Sequence, residues 1–199
     1  MVIPSISYNQ EEIIQWIIDM HTGPIELDPT YGDGVFYRNI QKPKYMFDIN
    51  PEKGVEVASA DRLPVADNSI NSIMFDPPFL HDTGKHSIIG KRFGYFPTLK
   101  VLWGFYEDCI IEFSRKLKDG GHLIFKCQDT VSDHKNWFSH VEIMNLAVKE
   151  GFYPKDLFIL LSKHRLPQWN RKNQFHARKF HSYFWVFEKR KSRIDYSYL

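Results

Sequence analysis

The sequence lacks the features that mark secreted and membrane proteins. It has only two cysteines in 199 residues, whereas a small secreted domain held by disulfides normally has more, at regular spacings. No run approaches the eighteen or so apolar residues of a membrane-spanning helix. The first residues also lack the basic segment and apolar stretch of a signal peptide. These absences predict a cytoplasmic protein with one domain over residues 1–199.

Several cofactor and metal motifs are missing too. There is no complete G-x-G-x-x-G pattern and no P-loop Gly-Lys-Ser/Thr, so a cofactor with a pyrophosphate is not favoured. His164, His176 and His181 have no cysteine pair at zinc-finger spacing to complete a site, and His-Glu-x-x-His does not occur. We therefore expect no metal site.

Charge is distributed unevenly along a chain of net charge +2. Residues 163–193 contain ten Lys/Arg and one acid, whereas residues 1–162 contain sixteen Lys/Arg and twenty-two acids. A solvated basic tail is a common alternative, but aromatic residues interrupt this one, and disordered tails are rarely so aromatic. The pattern predicts a polyanion-binding face beside a mildly acidic body.

The order of predicted elements indicates an α/β fold. Helices are expected at 9–20, 100–118 and 137–150, and strands at 25–27, 44–48, 55–59, 69–75, 122–127, 156–162 and 182–187. Asn9 is a plausible N-cap with Glu12 completing a capping box, and Gly120-Gly121 is expected to end the second helix. No crossover helix separates the last two strands, which predicts a mostly parallel sheet with an antiparallel last strand.

Four predicted strands end in, or are followed closely by, an acid: Asp28, Asp48, Asp61 and Asp76. A single aspartate after a strand means little, because this residue is favoured in turns and helix caps. Ligands of open parallel sheets bind beyond the carboxyl ends of the strands. Four acids in order along that edge therefore predict a ligand site.

The loop Gly32-Asp33-Gly34 follows the first of these strands, and its glycines would let the backbone approach a ligand. A ligand with ribose and adenine but no phosphate suits it. The Asp48 carboxylate could accept from a ribose diol, and Asp61 from an adenine amino group. S-adenosylmethionine (SAM) has these groups, and its sulfonium tolerates an acidic pocket. A plain turn is the alternative for the glycines.

Asp76-Pro77-Pro78-Phe79 is the most specific motif in the chain. Two prolines fix the backbone and remove two N–H donors, so the loop presents carbonyl oxygens and one carboxylate as a rigid row of acceptors. An aromatic amine is a poor nucleophile until its hydrogens are accepted and its lone pair is freed. The motif predicts such a role for Asp76 and the Pro77 carbonyl, with Phe79 stacking on the target ring.

Residues 24–187 resemble class I SAM-dependent methyltransferases, specifically the amino-methyltransferases with an Asp/Asn/Ser-Pro-Pro-aromatic motif. The chain looks most like small bacterial or phage DNA methylases. The resemblance implies a Rossmann-like sheet of seven strands with helices on both faces, SAM as cofactor, and adenine-N6 or cytosine-N4 of DNA as target. The implied cofactor residues are Asp28, Pro29, Thr30, Gly32, Gly34, Asp48 and Asp61. The implied catalytic residues are Asp76, Pro77, Pro78 and Phe79.

The chain departs from this family pattern in two ways. Thr30 replaces the aromatic residue often found in the SAM loop, so the methionine end of SAM would be held differently. No separate target-recognition domain is expected in 199 residues. Specificity would then come from loops 80–98 and 163–181, from a homodimer, or from a partner subunit.

Nucleic acid is the expected substrate. Its candidate contacts are Lys85, Lys91, Arg92, Arg171, Lys172, His176, Arg178, Lys179 and His181. Plain surface placement remains the alternative for each. Neither Cys109 nor Cys127 follows a proline, so the cysteine nucleophile of cytosine-C5 enzymes is absent and both are expected in the core. Methylation of an RNA base or a protein glutamine, and a non-catalytic SAM-fold subunit, are the other functions considered.

Overall fold

A computed structural model describes residues 2–50, 55–81, 96–132, 134–163 and 175–190. Its helices are α1 (Gln10–Ile17), extended by a π-helical turn (Ile18–Thr22), a 3-10 helix (Val35–Tyr37), α2 (Leu99–Lys116) and α3 (Ser139–Lys149). Its strands are β1 (Ile6–Ser7), β2 (Leu27–Asp28), β3 (Tyr45–Asp48), β4 (Glu56–Val57), β5 (Ile70–Phe75), β6 (Leu117–Cys127), β7 (Thr130–Ser132), β8 (Lys135–Trp137), β9 (Phe152–Leu161) and β10 (His181–Lys189).

Eight strands form one sheet in the order β1-β9-β10-β6-β5-β2-β3-β4. Strand β10 is antiparallel to both of its neighbours, and the other pairs are parallel. The predicted mostly parallel sheet with an antiparallel last strand is therefore confirmed. The expected count of seven strands was wrong, because Ile6 and Ser7 add an eighth strand at the edge beside β9.

Side chains alternate across the central strands and supply two apolar layers. Ile73 and Phe75 of β5 belong to the layer that packs against α2 and α3. Met74, between them, belongs to the opposite layer, which is covered by α1. This alternation follows from the two-residue period of a strand. It confirms the expectation of helices on both faces of the sheet.

Helix α1 begins as its sequence indicates. The Asn9 side chain accepts a hydrogen bond from the Glu11 backbone N–H at 3.0 Å, which confirms the predicted N-cap. Glu12 does not complete a capping box, since it accepts from the Ser7 hydroxyl instead, at 2.6 Å. The helix fully buries Ile13, Ile14 and Ile17, and each such side chain contributes about 1.5–3 kcal/mol.

The Gly120-Gly121 pair does not end helix α2, which stops at Lys116 and passes directly into β6. The register of β6 against β5 shifts here, because Leu117 pairs with Ile70 but His122 pairs with Ser72. Gly120 has φ +78°, and a Cβ on Gly121 would lie 2.9 Å from the Lys118 carbonyl oxygen. The glycines therefore permit a bulge in the strand, which helix-end rules could not predict.

Candidate functional site

A cavity of about 440 Å³ opens at the carboxyl ends of β2, β3 and β5. Its size lies within the range of small-molecule sites, and its place is where open α/β sheets bind ligands. The lining combines apolar walls with three acids and one lysine. It comprises Gln10, Pro29, Thr30, Tyr31, Gly32, Asp33, Val35, Phe36, Asp48, Ile49, Asn50, Ser59, Ala60, Asp76, Pro78, Phe96, Phe105 and Lys126.

The glycine loop lies against the end of β3. The Gly32 backbone N–H donates to Asp48 Oδ2 at 2.9 Å, so loop and strand end are joined directly. Gly34 has φ +71°, and a Cβ there would approach the Tyr31 hydroxyl to 2.5 Å. Glycine adopts that conformation without strain and leaves room for the Tyr31 ring. The loop therefore forms one wall of the cavity, with Asp48 beside it.

Asp28 lies beneath the cavity rather than in its lining, and it is 1% exposed. Its carboxylate accepts from the Tyr37 hydroxyl at 2.8 Å and from the Thr30 backbone N–H at 2.8 Å. Burial raises the pKa of Asp28 from 3.8 to about 7, against the opposing effect of these hydrogen bonds. Burial and the neighbouring Asp28 likewise raise the pKa of Tyr37. Asp28 thus anchors the loop from below.

Thr30 joins the two sequence motifs. Its hydroxyl accepts from the Asp76 backbone N–H at 2.9 Å and donates to Asp28 Oδ1 at 3.2 Å. The glycine loop and the Asp-Pro-Pro-Phe motif are therefore neighbours across the cavity. The sequence singled out Thr30 as a candidate cofactor residue and as a departure from the family pattern, but not as a link between the motifs. Its bridging role depends on the adjacency of β2 and β5, which the residue type alone does not reveal.

The two prolines differ in their relation to the cavity. Pro78 lines it, whereas Pro77 is buried and Phe79 is partly buried outside the lining. The Tyr106 hydroxyl of α2 donates to the Pro78 carbonyl oxygen at 2.6 Å, which fixes the loop to the helix. In the described part of the chain, no group donates a hydrogen bond to the Pro77 carbonyl. Tyr106 lies in the predicted helix 100–118 but was not singled out there as a site residue, so its contact with the motif was missed.

Lys126 is the one basic residue among the described residues that line the cavity, and the sequence analysis did not assign it to the site. It lies near the end of β6, and its ammonium donates to Asp76 Oδ2 at 3.0 Å. The sequence offered one clue to this role. Lys126 interrupts the apolar run of a predicted strand, and that strand lies beside the acidic motif in the sheet. The pairing of Phe75 with Phe125 places the two strand ends side by side.

Asp61, the predicted adenine contact, is not among the residues that line the cavity. It is exposed and accepts a hydrogen bond from the Ser59 hydroxyl. Ser59 and its neighbour Ala60 do line the cavity. Next to the end of β4, these two residues line the cavity, and Asp61 follows them directly in the sequence.

The predicted nucleic-acid contacts divide into two groups. Lys85, Lys91, Arg92, Arg171 and Lys172 lie outside the described residues. The others lie before or at the start of β10. His176 bonds Asn136 and the His134 carbonyl, at 3.0 and 2.7 Å. His181 contacts the Tyr183 hydroxyl at 2.9 Å. Lys179 lies over the Phe138 ring and Arg178 over the Phe180 ring, both at 5.6 Å.

Both cysteines are buried, as predicted. Burial raises the pKa of the Cys109 and Cys127 thiols, so neither is prepared to act as a thiolate nucleophile. Among the described residues, no group of three or more His, Cys, Asp or Glu could hold a metal ion. No helix there is long and apolar enough to cross a membrane.

Comparison with solved structures identifies the fold. A candidate DNA modification methylase from Thermus thermophilus, solved with SAM, is 17% identical; the match covers 66% of this chain and 52% of that one, with a TM-score of 0.45. A SAM-dependent methyltransferase from Thermotoga maritima, a candidate histamine N-methyltransferase, is 20% identical over 92% and 89%, with a TM-score of 0.52. TrmN from T. thermophilus is 16% identical over 90% and 48%, with a TM-score of 0.53.

This chain thus spans about half the length of the first of these proteins and of TrmN. No protein-family model and no curated protein sequence matches it. The matched structures with a TM-score above 0.5 cover nine tenths of the chain. They agree with the fold that the sequence predicted. The chain has the class I fold of SAM-dependent methyltransferases.

Proposed function

We propose that this protein is an enzyme that transfers a methyl group from SAM to the exocyclic amino group of a nucleic-acid base, foremost adenine N6 or cytosine N4 in DNA. One observation carries the proposal: Asp76, the acid of the Asp-Pro-Pro-Phe motif, lines the same cavity as the glycine loop and is tied to it through Thr30. A methyl donor and an amine acceptor can therefore meet at one place.

The lining suits SAM. Asp48 Oδ2 accepts from Gly32 and Oδ1 accepts from Asn50 at 2.8 Å, and each oxygen retains a lone pair for a ribose hydroxyl. Val35, Ile49 and Ala60 offer apolar surface to an adenine ring. The acids exceed the bases in the lining, which favours a cationic sulfonium. When bound, SAM supplies an electrophilic methyl group.

Asp76 and the Pro77 carbonyl prepare the amine. Each accepts one N–H hydrogen of the target, which localises the nitrogen lone pair toward the methyl donor. The methylated nitrogen must lose one proton, and the Asp76 carboxylate is the nearest acceptor. The prolines and the Tyr106 hydrogen bond keep these acceptors in place before the target arrives. Catalysis by positioned acceptors requires such preorganisation.

A nucleic-acid target is supported by the surface on the β6 side of Asp76. Phe138 and Phe180 are 53% and 40% exposed, and each has a cationic side chain over its ring, Lys179 and Arg178 respectively. Aromatic faces stack on unpaired bases, and lysine and arginine neutralise phosphates. A base from a duplex would have to be flipped out to reach the cavity. Residues 82–95 and 164–174 lie outside the described part of the chain. In this scheme, loops 80–98 and 163–181, which contain them, face the substrate within one domain, and a homodimer or partner subunit adds specificity.

The decisive experiment incubates the protein with tritiated SAM and DNA, RNA or protein, and then identifies the labelled nucleoside or amino acid. We expect N6-methyladenine or N4-methylcytosine from DNA. Asp76→Ala should lower the rate by at least about 100-fold and leave calorimetric SAM binding nearly unchanged. Asp108→Asn, an exposed acid on α2, is the control.

Full activity of Asp76→Ala would refute the role of the motif. Label recovered in RNA or in glutamine would change the proposed substrate class but leave the proposed site unchanged. Absence of SAM binding would make the chain a non-catalytic subunit of this fold.

A further inference from the structure

Lys126 is an unexpected cation inside a cavity proposed to receive a sulfonium. Its side chain is only 14% exposed, and its ammonium donates to Asp76 Oδ2 at 3.0 Å. A lone cation there would repel SAM. The pair that it forms with Asp76 has no net charge, so Lys126 can lie in the lining without opposing the cofactor.

Aromatic rings hold the Lys126 ammonium in place. It lies 4.8 Å from the centroid of Phe36 and 5.7 Å from that of Phe184. Phe36 lines the cavity, and Phe184 pairs with Lys126 across β6 and β10. Cation–π contacts of this kind contribute about 0.5–2 kcal/mol when partly desolvated. The ammonium is therefore fixed by two elements besides its own strand.

Lys126 engages one oxygen of Asp76, while no hydrogen bond from the described residues reaches the other, Oδ1. The backbone of Asp76 is held separately by Thr30. With its backbone and one oxygen fixed, the carboxylate cannot turn freely about its last side-chain bond. Its second oxygen is then available in one orientation for an amine hydrogen.

We propose that Lys126 is a positioning residue that orients the Asp76 carboxylate, so that Oδ1 accepts a hydrogen of the target amine while Oδ2 stays bound to the ammonium. The inference rests on the proposed function, because it assigns the part of Asp76 that meets the substrate. Lys126 itself does not touch the amine. A general acceptor oriented by a third group is a recurring arrangement in enzyme sites.

The test compares Lys126→Met, which keeps the aliphatic stem, with Lys126→Arg, which keeps a cationic donor. Lys126→Met should lower kcat by about 10- to 100-fold and change KM for the nucleic acid and Kd for SAM by less than about threefold. Lys126→Arg should recover most of kcat. Lys118→Met, on the same strand but at its opposite end, should behave as the wild type. Thermal unfolding checks that all variants fold.

A double-mutant cycle with Asp76→Ala, which removes both acceptor oxygens, separates action through Asp76 from any other effect. In the Asp76→Ala background, Lys126→Met should cause no further loss of kcat. An additive loss would overturn the inference, as would an unchanged kcat in Lys126→Met or a loss confined to SAM affinity. A lower nucleic-acid KM without loss of kcat would show instead that Lys126 competes with the amine for Asp76. Failure of the proposed function looks different, since the wild type would then methylate no amine or Asp76→Ala would remain fully active.

Discussion

Asp28 supports the proposed cofactor site indirectly, by holding the loop that lines it, although it was predicted to belong to that site. Its position at the end of β2 predicted a contact with the cofactor. The structure buries it under the glycine loop, where it holds Thr30 and Tyr37. Burial was not visible in the motif, because the covering residue Tyr37 comes nine positions later, after a turn. The consequence is electrostatic, since a buried carboxyl group with a raised pKa links stability to pH.

We predict that Asp28 makes the folded protein less stable as the pH rises from about 4 to about 7. The unfolded carboxyl group ionises near its ordinary pKa of 3.8, whereas the folded one ionises near 7. Between these values the folded state binds a proton that the unfolded state has lost. The free energy of unfolding therefore decreases as the pH rises, and this effect ends above about pH 7. The contribution is on the order of 4 kcal/mol.

Urea unfolding at several pH values checks this prediction. Asp28→Asn cannot ionise, so its free energy of unfolding should lack this decline, whereas the exposed-site control Asp108→Asn should retain it. Equal slopes for Asp28→Asn and the wild type would show that Asp28 is ionised in the folded state throughout the range.

At the scale of elements, length and burial decide what the sequence could reveal. Strand β5 and helix α2 are long and regular, and their apolar patterns predicted them within a few residues. Strand β1 has two residues, and β7 and β8 have three each. Such short segments become strands only because a partner is near, which local propensity does not encode. The contacts of Lys126 and Tyr106 escaped prediction for the same reason, since both depend on which elements are neighbours.

Helix α3 begins with a cap that comes from another element. Phe138, at its N-cap position, forms no capping hydrogen bond. Asp129, just after β6, accepts instead from the His140 backbone N–H at 3.2 Å and from its Nδ1 at 2.7 Å. Desolvation at this buried site raises the pKa of Asp129, but the hydrogen bonds from His140 outweigh it and leave the pKa lowered. The link fastens α3 to the sheet edge that also bears Asp76.

We predict that Asp129→Ala lowers the free energy of unfolding by about 1–3 kcal/mol at pH 7, because it removes the cap and leaves donors unpaired. Asp129→Asn keeps an acceptor and should cost less. Because the folded pKa is lowered, the advantage of the wild type over Asp129→Asn should be present above the ordinary pKa of 3.8 and be lost as the pH falls below it. Chemical unfolding of the three proteins at acid and neutral pH tests both statements. An Asp129→Ala protein as stable as the wild type would exclude the capping role.

For the whole molecule, the sheet order explains how an acidic cavity and a basic surface can adjoin. The cavity lies over β2, β3 and β5, and β6 and β10 continue the sheet on the other side of Asp76. Adjacent strands are about 4.8 Å apart, so Phe184 of β10, which pairs with Lys126 of β6, lies roughly 10 Å from the Asp76 backbone. Of the described basic residues in 163–193, Arg178 and Lys179 precede β10 at this edge, whereas Lys189 and Arg190 lie at the opposite end of that strand. A polyanion held by Arg178 and Lys179 would have its bases within reach of the cavity.

The final prediction concerns the salt dependence of nucleic-acid binding. Neutralising two phosphate contacts by Arg178→Gln and Lys179→Gln should weaken binding and reduce the slope of log Kd against log salt by about 1.5. The control, Lys118→Gln with Lys149→Gln, removes the same charge near the ends of β6 and α3 remote from Asp76. Fluorescence anisotropy with a short labelled oligonucleotide, single-stranded or duplex, measures both slopes without requiring turnover. An unchanged slope in the Arg178/Lys179 variant, or an equal fall in the control, would mean that these two cations do not contact phosphates. A steeper loss on the single strand than on the duplex would further indicate that Phe138 and Phe180 stack on unpaired bases beside them.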